Sequence, residues 1–555
     1  MEKFNIFISA KEYSLAAEVL LQFDPQIAAQ ILESMENEDF LALLRELDSV
    51  FTASMIPFLS GEKVDLLVNG LNYGELENIF SEMDPEEKAK IIRKLSPQSA
   101  VRILAPEDLP VLLREMKYAQ LKPLLAEMNA VDAARALEQV KEEDLPVLFR
   151  LLPKDEAAEV FVEMDSERQE TLIGILNNAE IHHVMEELFL DDVVDILEEM
   201  PANVVKKIIA QCDGETRKYV NELLKYPKDS AGSIMTVEYV SLRASMTVDE
   251  AFDKIRRTAI DKETIYTCYV VDDENYLIGI VTAKELLLSA KDILIGEIME
   301  TNFAYAVTTD DRENAARLLT EYGLLAIPVV DEEKRMVGIV TVDDAIDVLE
   351  EENTEDIAKM AAVLPSEKPY LKTSVFRIWL NRIPWLLILM ISATFTGLIL
   401  NTYEAKLAVI GSVLFACVPM IMDTGGNAGS QASVTVIRAL ALNELTTKDA
   451  LRVLWKEVRA SFLLGLTLAL ACFGKLILVD NLIFGYDGYT IVTCLVVSLA
   501  LACTVVIAKL VGCMLPLLAK KVKLDPAVVA SPFITTIVDA VSLMVYCFLA
   551  ISLLG

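Results

Sequence analysis

Two kinds of hydrophobic pattern divide the chain at about residue 383. Before it, apolar residues recur at helical spacing and alternate with charged residues. After it they run almost without interruption, as in WLLILMISATFTGLIL and ASFLLGLTLALACF. Apolar runs of this kind, extended by their neighbouring apolar residues, are typical of segments that cross a bilayer. The pattern therefore predicts water-exposed domains in the first two thirds and a membrane domain in the last third.

Residues 1–225 repeat one theme, in which an acidic or small residue precedes Pro or a charged residue and then a short apolar-periodic helix. Each start places a cap or a first-turn Pro before the helix. The repetition predicts a helical solenoid. The predicted starts are Asp24-Pro25, Asp84-Pro85, Ser96-Pro97, Pro153-Lys154, Asp165-Ser166, Asp191-Asp192 and Pro201-Ala202.

Residues 226–350 carry two copies of a β-rich unit, YTCYVVDDENYLIGIVTAKEL and LLAIPVVDEEKRMVGIVTVDDAI. Each copy predicts strand, turn, strand and helix. With SIMT at 233–236, EIME at 297–300 and GIVT at 279–282 and 338–341, the segment resembles a pair of CBS domains. Residues 351–383 are amphipathic, are interrupted by Pro365 and Pro369, and predict a connecting, plug-like helix.

The membrane domain, residues 384–555, is predicted to contain five spans, at about 384–402, 406–442, 458–479, 490–517 and 527–554. The second is long, and its GGNAG sequence predicts a break in the helix. An odd number of spans places the termini on opposite sides. Lys and Arg concentrate in the loops on the side of the soluble part, so we expect a cytoplasmic N-terminus and an external C-terminus in the inner (cell) membrane. The start of the chain lacks a basic leader and a cleavage site, which agrees with this expectation.

Composition sharpens the picture. The chain has 84 acidic and 50 basic residues, and the acidic excess lies in the soluble part. Such a charge argues against nucleic acid as a partner and suits a surface that attracts cations. Six of the eight cysteines fall in the apolar third without a CxxC pair, which indicates reduced thiols. The two histidines, His182 and His183, belong to no catalytic set or P-loop, so we expect no enzyme.

The last predicted span contains Asp539, with no Lys, Arg or His to pair with it. A carboxylate in hydrocarbon is costly and indicates a functional site, here a pore ligand; a protonated or hydrogen-bonded carboxyl and a proton relay remain alternatives. Five helices enclose a pore poorly, so a homodimer sharing one pore is expected. Two carboxylates suit Mg²⁺, which keeps most of its waters. The second span adds oxygens at Asp423, Asn427, Ser430 and Gln431, which predict a gate.

Two acidic motifs share a pattern. LDDVVD places Asp192 and Asp195, and VDDAID places Asp344 and Asp347, at i and i+3 on one helix face. Each face offers ligands for a hard cation, although the helix dipole also favours Asp in a first turn. Thr341 and Asp344 have the TxxD spacing with which CBS domains often hold a ribose, so ATP bound without hydrolysis stays open.

Taken together, these motifs resemble those of the MgtE family of Mg²⁺ channels over about residues 126–555, most specifically in MDTGGNAGSQ and LDPAVV…VD. The resemblance implies a homodimeric pore with an aspartate ring at Asp539, a cytoplasmic mouth near Asp525 and a gate at the GGNAGSQ segment. It also implies that cytoplasmic Mg²⁺ closes the channel by binding at Asp192, Asp195, Glu313, Asp344, Asp347, Glu355 and Asp356. One acidic sensor position of the family is Gly323 here, and residues 1–125 look like extra solenoid.

The expected protein is therefore a mainly α, multidomain membrane protein with an N-terminal helical solenoid, tandem α/β CBS domains, a connecting helix and a five-helix transmembrane domain. The expected function is Mg²⁺ uptake through a channel that Mg²⁺ closes. A secondary exchanger coupled to H⁺ or Na⁺ is the alternative, and inverted repeats would favour it. A membrane-anchored ion or nucleotide sensor is a third hypothesis, which predicts no transport.

Overall fold

The computed structural model describes residues 2–259, 262–366, 370–442, 444–486, 488–529 and 531–554. Two compact units divide the chain, residues 1–345 and residues 346–555. The first holds the solenoid and both β-rich repeats, and the second holds the long apolar helices. The fold is mainly helical, as predicted.

The solenoid is built from short helices whose apolar faces stack on their neighbours. Side chains cap many of them as predicted: Asp24, Asp84 and Asp165 each accept a hydrogen bond from a first-turn backbone N–H. The helices are α1 Glu2–Ser9, α2 Tyr13–Leu20, α3 Pro25–Glu33, α4 Asn37–Leu44, α5 Ser49–Met55, α6 Gly61–Gly70, α7 Tyr73–Phe80, α8 Pro85–Ile92, α9 Pro97–Val101, α10 Leu109–Glu115, α11 Tyr118–Leu125, α12 Ala130–Glu138, α13 Leu145–Phe149, α14 Lys154–Val162, α15 Ser166–Ile175, α16 Asn178–Glu187, α17 Leu190–Glu199, α18 Ala202–Gln211 and α19 Gly214–Leu223.

The two β-rich repeats form two similar three-stranded sheets, each with a parallel pair followed by an antiparallel pair. The predicted strand, turn, strand and helix are present in both, and a short first strand is added to each. The elements are β1 Ser241–Leu242, α20 Val248–Thr258, β2 Thr267–Val271, β3 Leu277–Thr282, α21 Ala283–Leu288, α22 Ile295–Ile298, β4 Ala306–Val307, α23 Arg312–Tyr322, β5 Ala326–Val330, β6 Met336–Thr341 and α24 Val342–Met360.

The glycine of each GIVT motif has a packing role. A Cβ on Gly338 would lie 2.6 Å from the carbonyl oxygen of Thr236, in SIMT, and one on Gly279 would lie 3.1 Å from that of Glu300, in EIME. A side chain at Gly338 would overlap the Thr236 carbonyl, and a side chain at Gly279 would force Met299 and Glu300 to shift. SIMT of the first repeat therefore runs across Gly338 of the second sheet, and EIME runs across Gly279 of the first sheet.

The connecting region differs from the prediction. Helix α24 starts at Val342, directly after β6, and ends at Met360, so the connecting helix is a continuation of the second repeat. Pro365 lies in a non-helical segment, since a proline lacks the N–H that a helix interior needs. Pro369 lies outside the described residues. The next helix starts at Val375, before the predicted limit of residue 384.

The second unit contains the helices α25 Val375–Ile410, α26 Ser412–Ala416, α27 Val418–Ala441, α28 Ala450–Lys475, α29 Ile491–Lys521 and α30 Ser531–Leu554, with a π-helix at Leu476–Ile483. Among the described residues, four helical stretches are long and apolar enough to cross a membrane: Val375–Ile410, Thr447–Ile483, Ile491–Lys521 and Pro532–Leu554. They match the first, third, fourth and fifth predicted spans. Helix α27, in the second, is more polar.

The predicted break at GGNAG is wrong. Helix α27 runs unbroken through it, and the interruptions come earlier, at Gly411 and Cys417. The glycines serve close helix packing instead. A Cβ on Gly425 would lie 2.6 Å from Ser542 Oγ of α30, and one on Gly512 of α29 would lie 2.2 Å from the carbonyl oxygen of Gly429. Small residues at such crossings let helix backbones approach in a membrane.

Candidate functional site

Carboxylates from three segments converge in the first unit. Asp191 lies in the first turn of α17, Glu238 lies shortly before β1, and Glu263 lies before β2. One oxygen of each lies within 4.8 Å of the other two. Among the described residues, no other group of three or more His, Cys, Asp or Glu side chains meets this criterion. The best-formed candidate cation site therefore joins the end of the solenoid to the first β-rich repeat.

Helix α17 explains how the acids are positioned. It begins after Phe189, whose side chain provides no cap. Glu238 supplies the acceptor, because the backbone N–H of Leu190 donates to its carboxylate at 3.3 Å. The positive end of a helix favours a negative charge at this place. The same contact brings Glu238 next to Asp191, whereas the predicted helix start at Asp191-Asp192 would have made Asp191 itself the cap.

Burial and mutual repulsion raise the pKa values of these acids. Burial raises the pKa of Asp191 well above its usual range, and the charges of Asp344, Asp192 and Glu263 add to the effect. Burial, followed by the charge of Asp344, raises the pKa of Asp192 to about 6. Burial, followed by the charge of Asp343, raises the pKa of Glu263 to about 7. Each of these neighbours is negative, so a nearby cation would favour the ionised forms.

The predicted acidic motifs are brought together in part. Asp344 lies near enough to α17 for its charge to act on both Asp192 and Asp195, of which Asp195 is exposed. Glu313 lies separately, in the first turn of α23 after the N-cap Asp311.

The remaining predicted sensor residues follow Asp344 along α24, beyond the division of the two units at Ala345. Asp347 is exposed, and Glu355 and Asp356 are half-buried.

The TxxD pair has a local role. Thr341 immediately precedes α24, and its hydroxyl donates to the carboxylate of Asp344, in the first turn of that helix, at 2.5 Å. At the equivalent place in the first repeat, Thr282 and Glu285 form a capping box at the start of α21. Both motifs therefore stabilise the helix that follows the last strand of a sheet.

A lysine occupies the acidic site at the end of the connecting helix. Lys359 Nζ lies 2.8 Å from Asp525 Oδ2 and 3.0 Å from Glu355 Oε2. Burial alone would lower the pKa of Lys359, but hydrogen bonds to Asp525 and Glu355 outweigh it and raise the pKa. Asp525 also accepts a hydrogen bond from the backbone N–H of Ala527. Two predicted site residues are thus already paired with a cationic side chain.

A polar stripe runs along one face of α27. Asp423, Asn427 and Gln431 recur every four residues and are exposed, and Ser430 is half-buried. The opposite face is buried and consists mainly of small residues, Gly425, Ala428, Gly429, Ala432 and Ser433 among them.

Asp539 of α30 lies at the edge of this stripe. A Cβ on Gly426 would lie 3.4 Å from its Oδ1, so the carboxylate rests against the glycine backbone of α27. The charge of Asp423 acts on it as well. Polar groups on the exposed face of an apolar bundle need water or a second protein surface.

Sequence reasoning missed several of these residues. Asp191 was predicted only as part of a helix start, because its burial depends on the fold, and Glu238 and Glu263 belong to no motif. The pair formed by Lys509 Nζ and Glu457 Oε2, 3.4 Å apart, joins α29 to α28 and is largely buried. An ionisable residue in an apolar span was the available signal for Lys509.

Comparison with known proteins places this geometry in a family. The model described as divalent cation transporter, MgtE, matches residues 418–549, the MgtE intracellular N domain matches 128–229, and CBS domains match 231–292 and 295–351. The magnesium transporter MgtE of Thermus thermophilus is 38% identical over 438 residues, which cover 78% of this chain and 95% of the relative. That of Bacillus subtilis is 30% identical over 437 residues, 79% of this chain and 94% of the relative.

A solved structure is also similar to part of this chain. The crystal structure of the cytosolic domain of the Mg²⁺ channel MgtE in complex with ATP is 38% identical, with a TM-score of 0.42 over 43% of this chain and 98% of that chain. Since the two full-length relatives are covered along nearly their whole length, this chain belongs to the MgtE family of magnesium transporters.

Proposed function

We propose that two copies of this chain form one Mg²⁺ channel, lined by α27 and α30, which closes when Mg²⁺ binds to the acidic cytosolic residues. The observation that carries the proposal is the polar stripe of Asp423, Asn427 and Gln431 on the exposed face of α27, beside Asp539. Such a face is costly against lipid. A second copy related by a twofold axis would cover it and bring two Asp539 side chains together.

The chemistry of the stripe suits a hydrated ion. Amide, hydroxyl and carboxylate oxygens are the ligands that Mg²⁺ prefers, and the ion dehydrates reluctantly. Asp539 would attract the ion with most of its water shell, and Asn427, Ser430 and Gln431 would contact that shell at the gate. A membrane potential of 100 mV supplies roughly 4–5 kcal/mol for a charge of +2 moving inward, so transport needs no ATP.

Closure of the proposed channel would depend on acidic residues of the solenoid and the CBS domains. Asp192, Asp195 and Asp344 repel one another at their present separation, and Mg²⁺ between them would stabilise that arrangement. The proposed sensor also includes Asp347, Glu355, Asp356 and Glu313. Asp525 is the proposed pore mouth, where Lys359, 2.8 Å from its carboxylate, would compete with Mg²⁺. The proposed orientation places the solenoid in the cytoplasm of a multi-pass cell-membrane protein. ATP binding through Thr341 and Asp344 stays a prediction.

The test is Mg²⁺ uptake into liposomes that hold the purified full chain, with an inside-negative potential set by a K⁺ gradient. Asp539→Asn removes the charge and keeps the shape, and we expect uptake to fall roughly tenfold or more, an effect of at least about 1.4 kcal/mol on passage. Glu404→Gln, which changes an exposed carboxylate of α25 away from the stripe, is the matched control and should transport as the unaltered chain does.

The rival functions give different results in the same liposomes. An exchanger would need a H⁺ or Na⁺ gradient for uptake, and a membrane-anchored sensor would transport nothing. Uptake by Asp539→Asn equal to that of the unaltered chain would contradict the channel proposal.

A further inference from the structure

One exposed face of the helical stretch Thr447–Ile483 changes from basic to apolar along its length. Its first part carries four exposed basic residues that recur every three or four positions, Lys448, Arg452, Lys456 and Arg459. The next part of the face is exposed and apolar, with Phe462, Leu463, Leu466 and Leu470. Residues at this spacing lie on one side of a helix. The change between Arg459 and Phe462 therefore indicates where this face passes from the lipid headgroups into the hydrocarbon.

Trp455 lies among the basic residues of this face. It is 62% exposed, and the guanidinium carbon of Arg459 lies 5.8 Å from the centre of its ring. Leu451, one turn earlier, is exposed as well. Tryptophan prefers the headgroup level of a bilayer, where its ring meets apolar chains and its N–H stays near polar groups. An exposed Trp beside four basic side chains thus fits the boundary between lipid and water.

The chain neutralises little of the positive charge on this face. Arg452 Nη1 lies 3.3 Å from Asp449 Oδ1, but the arginine side chain is 89% exposed, and such a pair is weak in water. Glu457 is the one acidic residue of α28, and its carboxylate is directed to α29, where it lies 3.4 Å from Lys509 Nζ. The basic face therefore remains available to an anion.

A phospholipid headgroup matches this face in place and in charge. Because the basic part is continuous with the apolar surface of a candidate membrane span, its ligand must lie at the membrane surface. A zwitterionic headgroup has no net charge, whereas an anionic headgroup such as that of phosphatidylglycerol is attracted by each Lys or Arg nearby. Arginine also binds the oxygens of a phosphate in pairs through its planar guanidinium. Position and net charge together favour an anionic phospholipid over a soluble anion.

We propose that Lys448, Arg452, Trp455, Lys456 and Arg459 form a binding site for the headgroup of an anionic phospholipid. The basic side chains bind the phosphate, and Trp455 packs against the glycerol region and the first part of the acyl chains. The contact between Arg459 and the ring of Trp455 keeps that charge at the headgroup level. The site lies on a different helix from the polar stripe of α27, so the proposal stands whether or not the chain conducts Mg²⁺.

The first experiment uses the fluorescence of Trp455. The chain has three tryptophans, and Trp379→Phe combined with Trp385→Phe leaves only Trp455. The full chain with these two changes is placed in phosphatidylcholine liposomes that contain a minor fraction of nitroxide-labelled lipid, either phosphatidylglycerol or phosphatidylcholine, with the label near the acyl carbonyl. We expect the labelled phosphatidylglycerol to quench the fluorescence roughly twofold more strongly, because the basic residues concentrate it around the ring. Raising the salt concentration should reduce that difference.

Charge variants in the same background test the site itself. Arg452→Gln combined with Lys456→Gln removes two of the four charges, and the two labelled lipids should then quench almost equally. Arg452→Lys combined with Lys456→Arg keeps the charge and should keep the preference for phosphatidylglycerol. The matched control, Arg377→Gln combined with Arg382→Gln, removes the same charge from exposed residues of α25 and should keep the preference too. All these side chains are exposed, so each variant should retain the circular-dichroism spectrum of the unaltered chain.

Three outcomes would overturn the site. The first is equal quenching by the two labelled lipids before any charge is removed, and the second is an equal loss of preference in the α25 control. The third is a Trp455 that neither lipid quenches, since another protein surface, such as a second copy of this chain, would then cover the face. Because none of these measurements involves Mg²⁺ uptake, failure of the proposed channel leaves their results valid.

Discussion

Asp108 and Asp191 are equally buried acids of the same unit in opposite electrostatic surroundings. Asp108 is 7% exposed and Asp191 is 8% exposed. Lys88 Nζ lies 2.6 Å from Asp108 Oδ2, which also accepts the backbone N–H of Ala105. The charges that act on Asp191 come from other acids, and its Oδ1 has no hydrogen-bond partner.

The difference separates a buried charge that the chain neutralises from a buried charge that neighbouring acids repel. The chain provides the counter-charge of Asp108 itself, so this acid holds α8 to the next turn of the solenoid. The charges that act on Asp191 are those of Asp344, Asp192 and Glu263, so its neighbours oppose its ionisation. The presence of an acidic residue in the sequence predicts neither surrounding. The charges of the side chains that pack around it determine which one it has.

The largest effect should come from removing the partner of Asp108. Lys88→Met leaves a buried carboxylate without its cation, and breaking such a pair costs about 3 kcal/mol or more of folding stability. We expect an early unfolding step in thermal denaturation of the full chain, followed by circular dichroism, with and without Mg²⁺. Lys90→Met removes an exposed lysine of the same helix and serves as control. Equal melting of the two variants would mean that Asp108 does not rely on Lys88.

At Asp191, a substitution should change the free energy of unfolding by a smaller amount and in the opposite direction. Asp191→Asn in EDTA removes a repelled, buried charge and should raise the free energy of unfolding by about 1 kcal/mol. The same change at the paired acid, Asp108→Asn, should destabilise the chain instead, because it weakens the contact with Lys88. Chemical denaturation of both variants without divalent ions tests the pair, and a loss of stability in Asp191→Asn would contradict the comparison.

The smallest effect belongs to an exposed pair. Lys291 Nζ lies 2.8 Å from Asp249 Oδ1, with both side chains largely in solvent. Exposed ion pairs add little to stability. The Asp249→Asn variant should therefore have the same melting temperature as the unaltered chain, both with and without Mg²⁺. A clear loss of stability would show that exposure is a poor guide to the strength of these pairs.

Much of the fold was predictable because its signals are local. Capping residues such as Asp24 and Asp84 mark helix starts, and the repeated GIVT motif marks two sheets. The apolar runs after residue 383 predicted the long apolar helices, and the charge of one polar exception, Asp423, acts on another, Asp539.

The wrong predictions and the overlooked residues all involve contacts between segments that are distant in the sequence. The glycines of the GGNAG sequence predicted a broken helix, but Gly425 and Gly429 instead make room for α30 and α29. Asp191 was overlooked because burial by Glu238 and Glu263 arises only when the first CBS domain folds against α17. Lys359 was overlooked because its partner Asp525 lies far along the chain.

Closure of the pore by Mg²⁺ bound to the acidic residues of the solenoid and the CBS domains remains the proposal to test. The most direct measurement is Mg²⁺ uptake into liposomes as the Mg²⁺ concentration on the side of the soluble domains is raised, for the unaltered chain and for Asp344→Asn combined with Asp347→Asn. We expect uptake by the unaltered chain to stop as the ion accumulates, and we expect the variant to need roughly tenfold more Mg²⁺ to close. Uptake that does not change with Mg²⁺ on that side would contradict closure by these acidic residues. So would a variant that closes at the original Mg²⁺ concentration.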